Sequence, residues 1–120
     1  MQDSAYADSQ GNPFHCGAMV IVTLGNPREK VWGVVLGLSQ EGLSVGGVEL
    51  ASFDDLVRMV KEGEPPSSSV IFFPMHRIER VELDLADGAA DSLSQRFRNR
   101  TGLDAVAVLS RHVDDAEESR

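Results

Sequence analysis

Cysteine is nearly absent from this chain of 120 residues. Cys16 stands alone, so no intramolecular disulfide can form, and a reducing, cytoplasmic location suits the chain. No apolar run comes near the roughly 18 residues that a membrane-crossing helix needs. The opening M-Q-D-S-A-Y-A-D-S-Q-G-N-P has neither a basic segment nor an apolar one after it, so it does not read as a signal peptide. Residues 1–16 read instead as a flexible arm. Internal repeats are missing too.

Cations are scarce. Lys and Arg number 11 against 19 Asp and Glu, a formal net charge of −8. The deficit is spread over residues 1–16, 17–85 and 104–120; only 86–103 is net positive, with three arginines against two aspartates. Nonspecific nucleic-acid binding draws most of its free energy from cations that displace counterions at phosphates, so this balance disfavours it. One local patch could still bind RNA.

Ligand-holding patterns are lacking as well. His15-Cys16, His76 and His112 lie in separate segments, with no Cys-x-x-Cys or His-x-x-x-His spacing, so no metal is expected. Gly42, Gly46 and Gly47 fit hairpin and bend positions rather than a phosphate cradle, and no cofactor is expected.

What is present is a hydrophobic fraction of 42%, near the globular norm. A chain of this length buries roughly two thirds of its unfolded surface, enough for one modest core. Gly17–Leu24 reads as a first strand, with Val20, Val22 and Leu24 on one face and Ile21 and Thr23 on the other. Gly25-Asn26-Pro27-Arg28 supplies turn chemistry. Val31–Leu38 is a second strand, interrupted by Gly33 and Gly37, as at strong bends or close backbone crossings. After the turn Gln40-Glu41-Gly42, Leu43–Leu50 is a third strand with a bend at Gly46-Gly47.

The period then changes. Phe53, Leu56, Val57 and Val60 form a helical stripe, with Ser52 placed to cap it and Asp55 to complete a capping box. Gly63 and Pro65-Pro66 end that helix. Val70–Phe73 is a fourth strand. Glu79–Leu85 is a fifth, with Val81, Leu83 and Leu85 inward and Arg80, Glu82 and Asp84 outward. A second helix is predicted over Ser92–Thr101, with Ser92 and Gln95 at capping-box spacing, Leu93 and Phe97 as its apolar pair and Gly102 as its C-terminal cap. Leu103–Leu109 fits either one more strand or a helical turn. The domain is therefore expected over 17–103, with an acidic tail over 104–120.

Five short, glycine-marked strands with helices between and after them predict a mainly β fold: a small five-stranded SH3- or Sm-like barrel with a helical insertion after strand 3 and a C-terminal helix. The alternative is an open antiparallel sheet with helices on one face. V-I-V-T-L, a turn, W-G-V-V-L-G-L and then G-L-S-V resemble the opening three strands of Sm-like barrels. Phe72–Val81, F-F-P-M-H-R-I-E-R-V, resembles their fourth-to-fifth strand junction. In the bacterial Hfq-type branch that junction carries Tyr-Lys-His followed one residue later by Ile. His76 and Ile78 match it, whereas Pro74 and Met75 stand where Tyr and Lys would be. The resemblance covers about residues 18–50 and 70–85. It implies subunits that join through their fourth and fifth strands into rings, and a His that contacts RNA.

Candidate sites follow. His76 and Arg77 could contact RNA or a partner; alternatively His76 fixes the Pro74–Arg77 corner by bonding backbone. Arg96 and Arg100 share one helix face, with Arg98 turned away, and could hold phosphates, an acidic partner or only water. The run Val70, Ile71, Phe72 and Phe73 suits a strand covered on both faces, the second face by another subunit. Paired carboxylates at Asp54-Asp55 and Glu82/Asp84 have helix-capping and solvated-strand explanations, so catalysis by them or by Cys16 is a remote reading. The expectation is a non-enzymatic module that forms a homo-oligomer and binds protein partners, away from membranes. The alternative is an Sm-like RNA-binding ring, and a small hydrolytic enzyme is the remote third.

Overall fold

The strands form in the apolar-rich segments read from the sequence, some alternating and one, Val70–Phe73, unbroken. In the computed structural model, which describes residues 11–110, β1 is Met19–Leu24, β2 Glu29–Leu38, β3 Gly42–Glu49, β4 Ser69–Pro74 and β5 Ile78–Leu83. They make one antiparallel sheet in the order β4-β3-β2-β1-β5. Among the described residues no helix is long and apolar enough to cross a membrane.

The sheet cannot be flat. Its end strands would then lie about 19 Å apart, at 4.8 Å per strand step. Yet β4 and β5 are joined only by Met75–Arg77, in a 3-10 turn. Four Cα steps reach about 14 Å at full extension, and less when coiled. The sheet therefore curls. Val20, Val22 and Leu24 of β1, Val31 and Val35 of β2, Leu43 and Val45 of β3 and Phe73 of β4 meet in one inner cluster, with Ile78, Val81 and Leu83 of β5 against it. Leu43 and Val81 line the same small cavity, although three strand steps separate β3 from β5 around the sheet. β4 and β5 are the two ends of the ladder, and no rungs join them. The result is a partly open barrel.

Glycine makes the bend. Gly33 faces Gly47 across β2 and β3. A Cβ on Gly33 would lie 2.5 Å from the Gly46 carbonyl oxygen and from Val45 Cγ1, and one on Gly47 would strike the Trp32 carbonyl. Only two bare backbones cross so closely.

The outer face carries a second cluster, built on Trp32, Val34 and Val48 and roofed by three helices: α1 (Phe53–Lys61), α2 (Leu93–Thr101) and α3 (Ala105–Leu109). Phe53, Leu56 and Val57 of α1 are buried, as the stripe predicts. Ser52 does not cap this helix. A 3-10 turn over Leu50–Ser52 runs into α1, so Ser52 has φ −95° and ψ 6° instead of the extended geometry a cap requires. α2 does carry its capping box: Ser92 Oγ accepts from the Gln95 N–H at 3.0 Å, and Gln95 Oε1 accepts from the Ser92 N–H at 2.8 Å. Gly102, at φ 79°, ends it in the left-handed conformation that favours glycine.

Both expected domain boundaries shift. Within residues 103–109 the structure forms a helix over Ala105–Leu109 rather than a strand, and Ala105, Val108 and Leu109 are buried in the outer cluster. The domain thus runs past 103, and the tail cannot begin at 104. α3 can approach because Gly46 beneath it has no side chain: a Cβ there would lie 2.5 Å from the Leu109 carbonyl oxygen. At the other end, Phe14 packs on the inner cluster and the Gly17 N–H donates to the Val35 carbonyl at 2.8 Å. Residues 11–16 are therefore part of the fold. The rest of the expected arm and tail, 1–10 and 111–120, lies outside the described residues.

Candidate functional site

β4 and the turn after it occupy one end of the sheet. Side chains alternate across a strand. Ile71 and Phe73 enter the inner cluster, whereas Val70 and Phe72 point outward and stay 51% and 53% exposed. One edge of β4 pairs with β3, Val45 opposite Ile71 and Ser44 opposite Phe72. Its other edge pairs with no described strand. Met75, 42% exposed, continues the apolar surface into the turn.

Arg77 is a clamp. Its Nη1 donates to the Gly25 carbonyl at 2.5 Å and to the Pro27 carbonyl at 2.9 Å, and Nη2 lies 3.5 Å from Glu29 Oε1. The Gly25 N–H in turn donates to the Arg77 carbonyl at 2.9 Å. The β4–β5 turn is thereby tied to the β1–β2 turn. This guanidinium, expected to contact RNA or a partner, is held by the barrel's own carbonyls. His76 beside it is exposed, and its ring bonds no described residue. The corner is fixed by Arg77, not by His76.

The arginine pair of α2 reaches across the surface to the neighbouring helix. Arg96 Cζ sits 5.4 Å from the Phe53 ring centroid, a cation–π distance. Arg100 Nη1 donates to Asp54 Oδ1 at 2.9 Å. Both reach the first turn of α1, so the shared face read from their spacing is real and its partner is the neighbouring helix. Such exposed pairs are worth at most about 1 kcal/mol each. Arg98, on the far side of α2, has neither an ionic nor an aromatic partner among the described residues.

Asp84 is the residue that sequence reasoning misplaced. It follows β5 and points to the outer face, as expected, but α2 covers that face here. Asp84 Oδ2 accepts from Trp32 Nε1 at 3.0 Å, from the Ser94 N–H at 2.8 Å and from Ser94 Oγ at 2.6 Å, and Oδ1 accepts from the Leu93 N–H at 2.8 Å. A carboxylate at a helix N-terminus satisfies amides that have no partner within the helix and meets the favourable end of its dipole. One signal was available: a fully buried Trp32 needs an acceptor for its indole N–H. Leu85, expected inward, lies beyond the end of β5 and is 68% exposed.

The catalytic candidates do not assemble. Asp54 pairs with Arg100 and Asp84 anchors α2, whereas Cys16 is exposed and its Sγ lies 3.4 Å from the Leu36 carbonyl oxygen. Among the described residues no three His, Cys, Asp or Glu side chains converge as a metal would need. Comparison with family models, with curated proteins and with solved structures returned no match.

Proposed function

We propose that this chain is a non-enzymatic interaction module, a small Sm-like β-barrel that self-associates and binds protein partners. The observation that carries this reading is the free edge of β4, flanked by half-exposed Val70 and Phe72. A sheet edge presents unpaired N–H and C=O groups, and proteins with no use for such an edge blunt it with charge or cover it. β4 holds no charged residue. The Sm-like resemblance falls on β1–β3 and on the β4–β5 junction, the elements that build the curled sheet. Cytoplasmic residence accords with a single, unpaired, exposed cysteine.

An RNA-binding ring draws less support. Three of its four candidate contacts, Arg77, Arg96 and Arg100, face other parts of the same fold. Single-strand binders need cations along a groove with rings to stack on, and a net charge of −8 opposes both encounter and affinity. Catalysis draws less still, because Asp54 and Asp84 are engaged by the helices and Glu82 by Arg80.

Light scattering on the full chain over a range of concentrations tests the proposal. A mass above that of one chain, rising with concentration, is expected; a strict monomer throughout overturns it. Filter binding with uridine-rich and adenine-rich RNA at low salt is expected to show no retention. Tight, salt-sensitive binding that His76→Ala weakens would replace this reading with the RNA one.

A further inference from the structure

Resting on that reading of self-association, we propose that two copies pair β4 to β4, antiparallel, about a twofold axis at Ile71. The result is a closed dimer in place of an open-ended or ring-forming contact.

Backbone groups come first. Rungs alternate along an antiparallel ladder, so a residue that bonds one neighbour turns its N–H and C=O away from the other. The Met75 N–H donates to the Glu41 carbonyl at 2.8 Å. Continued along the register, that alternation spends the groups of Phe73, Ile71 and Ser69 on β3. It leaves those of Val70 and Phe72 on the open edge. Placed antiparallel with Ile71 opposite its own copy, Val70 of each chain faces Phe72 of the other. Both residues have their amides outward, so the two pairs exchange four hydrogen bonds. Pro74, without an N–H, ends the ladder at each side.

Side chains agree with that register. Val70 and Phe72 are the half-exposed apolar residues of β4, and the axis sets each Phe72 beside a Val70 on the same outer face. Aromatic against β-branched is a favourable cross-strand pair. No like charges meet, because Ser69–Pro74 has none.

The other free edge is a poor partner. β5 carries Glu79, Arg80 and Glu82, with Arg80 and Glu82 tied to each other at 2.9 Å on the outer face. Its register against β1 shifts between Thr23 and Leu24, so Glu79 is an extra, bulged residue. Charge and a bulge are the two devices that keep an edge from being extended. A head-to-tail contact of β4 on β5 would set Phe72 and Val70 against that charged row. The unguarded edge fits only another unguarded edge, and a contact between identical edges closes at two copies.

Each chain bears a net charge of −8, so the copies repel at long range. Added salt screens that repulsion and leaves an apolar, backbone-bonded interface intact. The dimer is therefore expected to tighten as salt rises.

Sedimentation equilibrium of the full chain reads the stoichiometry. Expected are twice the chain mass and a dissociation constant that falls between 50 mM and 500 mM NaCl; at 500 mM, where repulsion between the acidic copies is screened, at least about tenfold weakening is expected from Phe72→Glu and no change from Arg80→Glu. In a Cys16→Ser background, Ile71→Cys is expected to cross-link to its own copy under mild oxidation, since the axis sets that position against itself. Circular dichroism of each variant separates lost pairing from lost folding. A larger assembly weakened by Arg80→Glu overturns the twofold pairing but keeps self-association. So does a dimer indifferent to Phe72→Glu that fails to cross-link. A monomer under all conditions overturns both.

Discussion

The indole N–H of Trp32 donates to Oδ2 of Asp84 at 3.0 Å, and that same carboxylate caps the first turn of α2. One side chain thus joins the middle of the sheet, the end of β5 and the start of a helix. Asp84→Ala strands the Trp32, Leu93 and Ser94 donors at once. It is expected to cost about 2–4 kcal/mol in urea unfolding, because buried donors left without acceptors bear their full desolvation cost. Asp84→Asn keeps a carbonyl oxygen and should cost less. The fluorescence of Trp32, the only tryptophan, should shift in both. A loss below about 0.5 kcal/mol for Asp84→Ala would contradict this role.

Gly46 is the seat of α3. In Gly46→Ala the new Cβ meets a backbone oxygen, which cannot swing aside as a long side-chain tip could. About 1–3 kcal/mol of stability should be lost, the usual cost of overpacking. Amide exchange should speed up in Ala105–Leu109 more than in α1. Uniform exchange across both helices would argue against the seat.

Arg77 and His76 are neighbours with different duties, and paired substitutions separate them. Arg77→Lys loses the planar fork whose Nη1 serves the Gly25 and Pro27 carbonyls while Nη2 reaches Glu29, and is expected to cost about 1–2 kcal/mol. His76→Ala should stay within about 0.5 kcal/mol of the parent. Equal losses would mean that the turn, and not the clamp, sets the effect.

Thr23 offers a gain. Its Oγ1 is buried with no hydrogen-bond partner among the described residues. Thr23→Val replaces that hydroxyl with a methyl of similar shape, and about 1 kcal/mol of added stability is expected from thermal or urea unfolding. A loss of stability would show that the hydroxyl is satisfied in solution.

The strands, the α1 stripe and the α2 capping box were legible because each is written in local spacing. Val20, Val22 and Leu24 share the inner cluster as period-two reading requires. What failed was non-local. Asp84 read as a solvated strand residue because nothing near it in sequence says that a helix starting nine residues later will cover its face. Arg96 and Arg100 showed a shared face, but its occupant is a helix some forty residues away. Ala105–Leu109 is five residues of small and aliphatic side chains, too short for either period to declare itself. Ser52 failed for a local reason: a 3-10 turn began before the expected cap.

Strand pairings differ in how far along the chain they reach. β1–β2, β2–β3 and β3–β4 join consecutive strands, whereas β1–β5 brings Val20 to Leu83. Remote contacts form late, since the loop must be closed before they reward the chain. Until β5 docks, the edge of β1 that it will cover, along uncharged M-V-I-V-T-L, lies open, as does β4 at the far side of the meander. A chain whose β5 is undocked would expose two adhesive margins, whereas the finished fold retains one. Arg77 stands just before β5 and Asp84 just after it, so the two fasteners that hold the closing strand also keep the second margin covered.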